Sequence, residues 1–208
     1  MSICKTTNGG ISWPIRRFLG SEGDYGTICE AIAVAPGDSL IVYAGGQQNY
    51  YAAVWHSSDA GNSWVDITEG LDSMHSMYDS VYAIWVSPLD PRIILVGTSK
   101  GVFKRGIIGR GQNSTWNPTA MQHSTNAFAC DPLTGIIYAA TVNGVFETDD
   151  TGSSWRPLND GLGCLNASCI AFDSDNGLLY VGTNGGSVWR LAVGASGQDG
   201  GGIVDPNE

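Results

Sequence analysis

"AVWHSSDAGNSWVDITEG", residues 53–70, decides the fold. It opens as a strand-like run, passes through the box "SSDAGNSW" (57–64), and resumes from Trp64 as a second run. The arrangement returns at 144–161, where "GVFETD" leads into "TDDTGSSW" (148–155) and then "WRPLNDG". It is also present at the start of the chain, where "SICKTT" leads into "TTNGGISW" (6–13) and "WPIRRF", with Asn8 in the place of Asp59 and Asp150. A worn copy, "GRGQNSTW" (109–116), has Gly111 in the acid's place and Asn113 in the glycine's. Asn tolerates positive φ better than other non-glycine residues, so that turn keeps its shape without the acid.

Working outward, four further runs align column by column: "AIAVAP" (31–36), "AIWVSP" (83–88), "AFACDP" (127–132) and "CIAFDS" (169–174). A small residue (Ala31, Ala83, Ala127, Cys169) precedes a large apolar one (Ile32, Ile84, Phe128, Ile170), and two positions on the column is apolar again. That period of two marks β-strands. Each run is followed by a second, "LIVYAGG" (40–46), "IILVGTS" (93–99), "IIYAATV" (136–142) or "LLYVGTN" (178–184). A third run follows each of these, "AVWHSS" (53–58), "GVFKRG" (101–106), "GVFETD" (144–149) or "SVWRLA" (187–192). With the run that leaves each Trp, this gives four short antiparallel strands per repeat of about 40–50 residues, the arithmetic of a propeller blade. The expected fold is therefore an all-β propeller of four-stranded blades, with four to five blades represented.

The box has a mechanical reading. Asp59 and Asp150 accept hydrogen bonds from backbone N–H groups of their own turn. Gly61 and Gly152, with Gly10 in the first copy, supply a positive φ. The flanking Ser and Thr hydroxyls brace the two sides. Trp64 and Trp155, with Trp13, are expected to wedge between sheets, where burying ~150–250 Å² each at ~25 cal/mol/Å² contributes several kcal/mol. A calcium loop is the sharper alternative. It fails for want of a third oxygen ligand and a distal bidentate Glu.

The pattern Ser/Thr-x-Asp-x-Gly-x-Ser/Thr-Trp resembles the Asp-box, or bacterial neuraminidase repeat, of sialidases, two-propeller xyloglucanases, sortilin-type receptors and photosystem II assembly-factor propellers. The resemblance covers about residues 2–192. It implies the propeller fold, boxes on the face opposite any active site, and an extracellular or periplasmic setting. It leaves function open.

The expected organisation is a propeller over 1–193, with blades near 1–18, 28–71, 80–118, 123–162 and 168–193, and a flexible glycine-rich tail at 194–208. The first copy carries only third and fourth strands, and the last only the first three. Three arrangements fit: pairing of the terminal strands into a small ring, a shortened chain, or completion by a second chain or copy.

Composition narrows the partners. The 208 residues carry 10 Lys and Arg against 20 Asp and Glu, a net charge of −10. A nucleic acid is excluded as a partner, because phosphate contacts need a cationic surface. No run approaches the ~20 apolar residues of a membrane span, and "MSICKTTNGG" has neither the basic nor the apolar part of a secretion signal. Five cysteines, an odd count without a C-x-x-C pair, argue against a disulfide framework, with a single Cys164–Cys169 bond left open. The dispersed His56, His75 and His123 imply no metal site, and nothing implies a cofactor.

Ligands of a propeller normally meet the fourth-to-first and second-to-third strand connections. Here those connections gather Tyr25, Tyr50, Tyr51, His75, Tyr78, His123 and Asn126 as candidate ligand-binding residues, a set that suits a glycan or a protein ligand. Glycoside hydrolysis requires two carboxylates ~5–9.5 Å apart, and Asp24, Asp72 and Asp79 are the candidate acids. A sialidase would also need three arginines on the substrate carboxylate. The arginines here fall mostly on box-side turns and outer strands, and "WPIRRF" lacks the Phe/Tyr-Arg-Ile-Pro order. The sequence therefore favours a non-catalytic binding or scaffolding module, with a glycoside hydrolase or part of one as the alternative.

Overall fold

The computed structural model describes residues 2–20, 26–71, 79–106 and 115–193. Their regular structure is entirely β. Strands β1 (Ser2–Lys5) and β2 (Ile15–Phe18) form a two-stranded sheet. Next comes a four-stranded sheet of β3 (Ile28–Ala35), β4 (Asp38–Gln48), β5 (Tyr51–Ser57) and β6 (Val65–Asp66). A second holds β7 (Val81–Val86), β8 (Ile94–Thr98), β9 (Gly101–Arg105) and β10 (Asn117–Pro118). A third holds β11 (Thr125–Cys130), β12 (Ile137–Thr141), β13 (Gly144–Thr148) and β14 (Arg156–Pro157). The last sheet has β15 (Ala167–Asp173), β16 (Leu178–Thr183) and β17 (Val188–Ala192). Strands follow chain order within each sheet and run antiparallel wherever the register is defined, so each sheet is a meander of the propeller-blade kind.

The chain divides into two compact units, Met1–Ser99 with Phe103–Asn117, and Lys100–Val102 with Pro118–Glu208. Each has its own core. In the first, Tyr43, Val54, Val81, Val86, Ile94, Val96, Phe103 and Trp116 form the main cluster, and Leu19, Ala44, Ala53 and Trp55 form a second. In the other, Tyr138, Ala140, Val145, Ala167, Leu179, Val181 and Leu191 cluster together. These are alternate residues of adjacent strands, so one sheet's face packs on the next, as period-two patterning dictates.

The first strand of each of the four larger sheets departs from strict alternation near its start, and β3 does so again between Val34 and Ala35. Register shifts fall between Cys29 and Ala31, Val81 and Ala83, Thr125 and Ala127, and Ala167 and Cys169. Glu30, Tyr82, Asn126 and Ser168 are therefore the extra residues of bulges at one repeat position. A bulge re-aims a side chain without displacing the residues after it. In each unit the bulged residue reaches toward the strand of the following sheet: Ser80 Oγ donates to Glu30 Oε2, and Asn126 Nδ2 donates to the Ala167 carbonyl at 2.8 Å.

Two expectations need correction, and one open alternative is decided. The segment 45–52 is a tight hairpin, not an open connection: Gln47 pairs with Ala52 and Gln48 with Tyr51. The reversal is made by Asn49 and Tyr50 at φ of 53° and 71°, the two successive positive values of a two-residue turn. The tryptophans are also not equivalent wedges. Trp64 packs half-buried on the Leu19 cluster, Trp155 is half-buried, and Trp13 is exposed. The deeply buried one is Trp116 of the worn copy, whose Nε1 donates to the Ile67 carbonyl at 2.8 Å while the Arg105 guanidinium lies over its ring. Finally, Cys164 and Cys169 are free thiols, as are Cys4, Cys29 and Cys130.

Candidate functional site

The boxes are wired alike. Ser57 Oγ donates to Asp59 Oδ1 at 2.8 Å and accepts from the Gly61 N–H at 2.8 Å. Asp59 also takes the Ser63 N–H at 2.7 Å and the Ser63 hydroxyl at 2.6 Å. In the later copy Thr148, Asp150, Gly152 and Ser154 repeat each of these bonds. Ser63 and Ser57 hold the Asp59 carboxyl down to about 2, and the Ser154 N–H and hydroxyl, with Thr148, hold Asp150 well below the usual carboxylate range. In the first copy Asn8 Oδ1 accepts from the Thr6 hydroxyl and the Ser12 N–H, but its Nδ2 donates to Ser12 Oγ at 2.8 Å. One hydrogen bond has reversed direction and the turn keeps its shape.

The glycine is only half of the positive-φ requirement. Ala60 and Thr151, just before Gly61 and Gly152, sit at φ of 58° and 55°, where the first copy has Gly9. The Asp carboxylates and the hydroxyls at 57, 63, 148 and 154 bond within their own turn and clasp it.

Strand register places the boxes and the candidate ligand residues at opposite ends of the sheets. Ser57, at the box, pairs with Val42, whereas Tyr51 pairs with Gln48 at the other end of β4. In the second unit Thr148 pairs with Ile137, and Thr125, next to Asn126, pairs with Thr141. Asp24, Tyr25, Asp72, His75 and Tyr78 lie outside the described residues.

In the first unit, Tyr50 and Tyr51 stand at the hairpin tip, each 41% exposed. The Tyr50 ring lies over Gly26, where a Cβ would come within 2.8 Å of Cε1, so any side chain there would displace the ring. Asp79 does not face solvent. It is buried just ahead of β7 and accepts the Ser99 hydroxyl. Glu30 and Asp79 both bear on Tyr82: burial first, then these two carboxylates, push its phenol up. Glu30 and Tyr82 are absent from the candidates drawn from the loops, because they lie inside strands. Their signal was the residue ahead of the small column, which is polar in every copy.

In the second unit, Asn143 Nδ2, which can only donate, lies 2.9 Å from His123 Nδ1, and the imidazole leans on Phe146 with ring centroids 5.5 Å apart. Asn126 is committed to Ala167. Among the described residues no group of three or more His, Cys, Asp or Glu side chains is placed to hold a metal ion. Nor is any described helix long and apolar enough to cross a membrane.

Solved structures similar to this one include GH74 enzymes. A GH74 enzyme of Niastella koreensis is 20% identical, with a TM-score of 0.56 over 79% of this chain and 28% of its own. The GH74 xyloglucanase of Xanthomonas campestris is 15% identical, with a TM-score of 0.58 over 82% of this chain and 31% of its own. An ancestral GH74 enzyme is 17% identical, with a TM-score of 0.54 over 78% of this chain and 24% of its own. The likeness is one of fold. This chain spans 24–31% of the length of those proteins. No family model matches the chain, and no curated protein does.

Proposed function

We propose that the chain is a non-catalytic propeller segment that binds a glycan at the sheet ends opposite its boxes, and that the boxes are Asp-boxes in a structural role. The observation that carries this reading is the contrast at the ends of β4, β5 and β7. Two tyrosine rings face solvent there, while the described candidate acid, Asp79, is buried against Ser99. Exposed ring faces stack on sugar rings and phenol hydroxyls bond to sugar hydroxyls, whereas a general acid needs access to the glycosidic oxygen. Support for a glycan over a protein ligand comes from the likeness to glycan-degrading enzymes, one of them a xyloglucanase.

The alternative is a segment of a glycoside hydrolase, which would use Asp24 and Asp72. Both readings are tested by incubating the chain with xyloglucan and with a panel of soluble β-glucans. Binding is followed by calorimetry and bond cleavage by release of reducing ends. The expected outcome is saturable binding without cleavage, at least tenfold weaker in Tyr51→Ala. Cleavage that disappears in Asp24→Asn or Asp72→Asn would establish the hydrolase instead. Binding unaffected by Tyr51→Ala would remove the hairpin from the site.

A further inference from the structure

Where a four-stranded sheet precedes it within one unit, a first strand has the same columns covered. In β7, Val81 and Val86 are buried and Ile84 packs beside them. The covering residue is Gly45 of β4, where a Cβ would lie 3.0 Å from Ile84 Cδ1. In β15, Ile170 and Phe172 pack into the other core, and Phe172 stacks on Tyr138 of β12 with centroids 5.7 Å apart. The second strand of one sheet thus offers a small residue and a large ring to the first strand of the next.

The same columns in β3 are bare. Ile32 matches Ile84 and Ile170, yet is 60% exposed, and Val34 matches Val86 and Phe172, yet is 55% exposed. The sheet ahead of β3 has two strands, whose Ile3 and Leu19 reach Ala44, Ala53 and Trp55 on the outer half of the face. The converse surface lies on the last sheet. Tyr180 occupies the column of Tyr43 and Tyr138, both buried, but is itself only half-buried, and Ala171 opposite it is exposed. Gly182 occupies the column of Gly45, but there the Cys169 Sγ, 2.6 Å from where a Cβ would lie, fills the space that Val81 and Ile84 take at Gly45.

We propose that the Ile32–Val34 face of β3 is a docking surface for a second copy of this chain, seated through the Ala171–Tyr180 face of its last sheet. Tyr180 lies on Val34 as Tyr138 lies on Phe172, and Ile32 packs beside it against the exposed Ala171. The contact is head-to-tail, so it either closes into a ring or extends. It is apolar between copies that each carry −10, so salt strengthens it by screening their repulsion.

Sedimentation of the whole chain across a dilution series tests this. Concentration-dependent association that tightens with added salt is expected. Ile32→Asp and Tyr180→Asp each weaken it at least tenfold, with the circular dichroism and Tm of the dilute protein unchanged. Mixed together, the two variants form one-to-one dimers and nothing larger, because only one good pair of faces remains. A monomer at every concentration overturns the proposal, as does association indifferent to both substitutions. A lowered Tm for Ile32→Asp in the dilute monomer also overturns it, since the face would then be covered within one chain.

Discussion

Replacing Asp150 with Ala removes a carboxylate that accepts three hydrogen bonds, from the Thr148 hydroxyl at 2.7 Å, the Ser154 N–H at 3.0 Å and the Ser154 hydroxyl at 2.7 Å. A net protein hydrogen bond is worth about 0.5–1.5 kcal/mol, and more when one partner is charged. Asp150 and Ser154 are exposed, so water re-solvates the abandoned donors and the upper end of that range does not apply. The three bonds also share one turn and do not add fully. The expected loss is about 1–3 kcal/mol, read as a fall in Tm of about 2–4 °C per kcal/mol. Asp150→Asn is the informative partner. Asn8 already holds the equivalent turn, with its Nδ2 donating to Ser12 Oγ, so Asn at position 150 keeps the wiring and costs less than about 1 kcal/mol. Thermal and denaturant unfolding, followed by tryptophan fluorescence, gives both numbers. Equal losses for Ala and Asn would refute the argument from geometry. Loss of glycan binding at full stability would refute the structural role altogether.

Two further outcomes follow from the boxes. The Asp59 carboxyl is held at about 2 by Ser63 and Ser57, below its unfolded value; the stability this adds is fully present above about pH 4 and is lost as the pH falls toward about 2. Unfolding measured over that window should show a steeper acid loss for the wild type than for Asp59→Asn, and parallel curves would reject the assignment. Thr151 is β-branched and sits at φ 55°, a conformation that costs about 1–2 kcal/mol for an L-residue. Thr151→Asn should therefore raise stability by about 0.5 kcal/mol, and a loss of stability would show that the Thr151 hydroxyl bond to the Asp150 carbonyl outweighs the strain.

Alternation and box spacing were enough to read strand, turn and sheet order, because both are local. The acid, the glycine and the flanking hydroxyls satisfy one another within eight residues, so their roles in 57–64 are legible without the rest of the chain. What escaped was set by tertiary pairing. "GGQQNYYA" has the composition of a loop, yet the ladder runs to Gln48–Tyr51 because Asn49 and Tyr50 accept positive φ. Trp116 belongs to the least regular box and is the best buried, because the site over Ile67 and Arg105, not the box, holds it. Of the candidate site, Tyr50 and Tyr51 were found as exposed aromatics. The burial of Asp79 depends on Ser99, twenty residues away, and no spacing rule announces that contact.

The bulge in each first strand has an evolutionary consequence. An extra residue stands outside the alternation that positions its neighbours, so exchanging it leaves the sheet's inside and outside undisturbed. The four copies hold an acid, a phenol, an amide and a hydroxyl at this one address: Glu30, Tyr82, Asn126 and Ser168. Each duplication of the repeat thus carried along a ready-made position at which new chemistry is tried without rewriting the core.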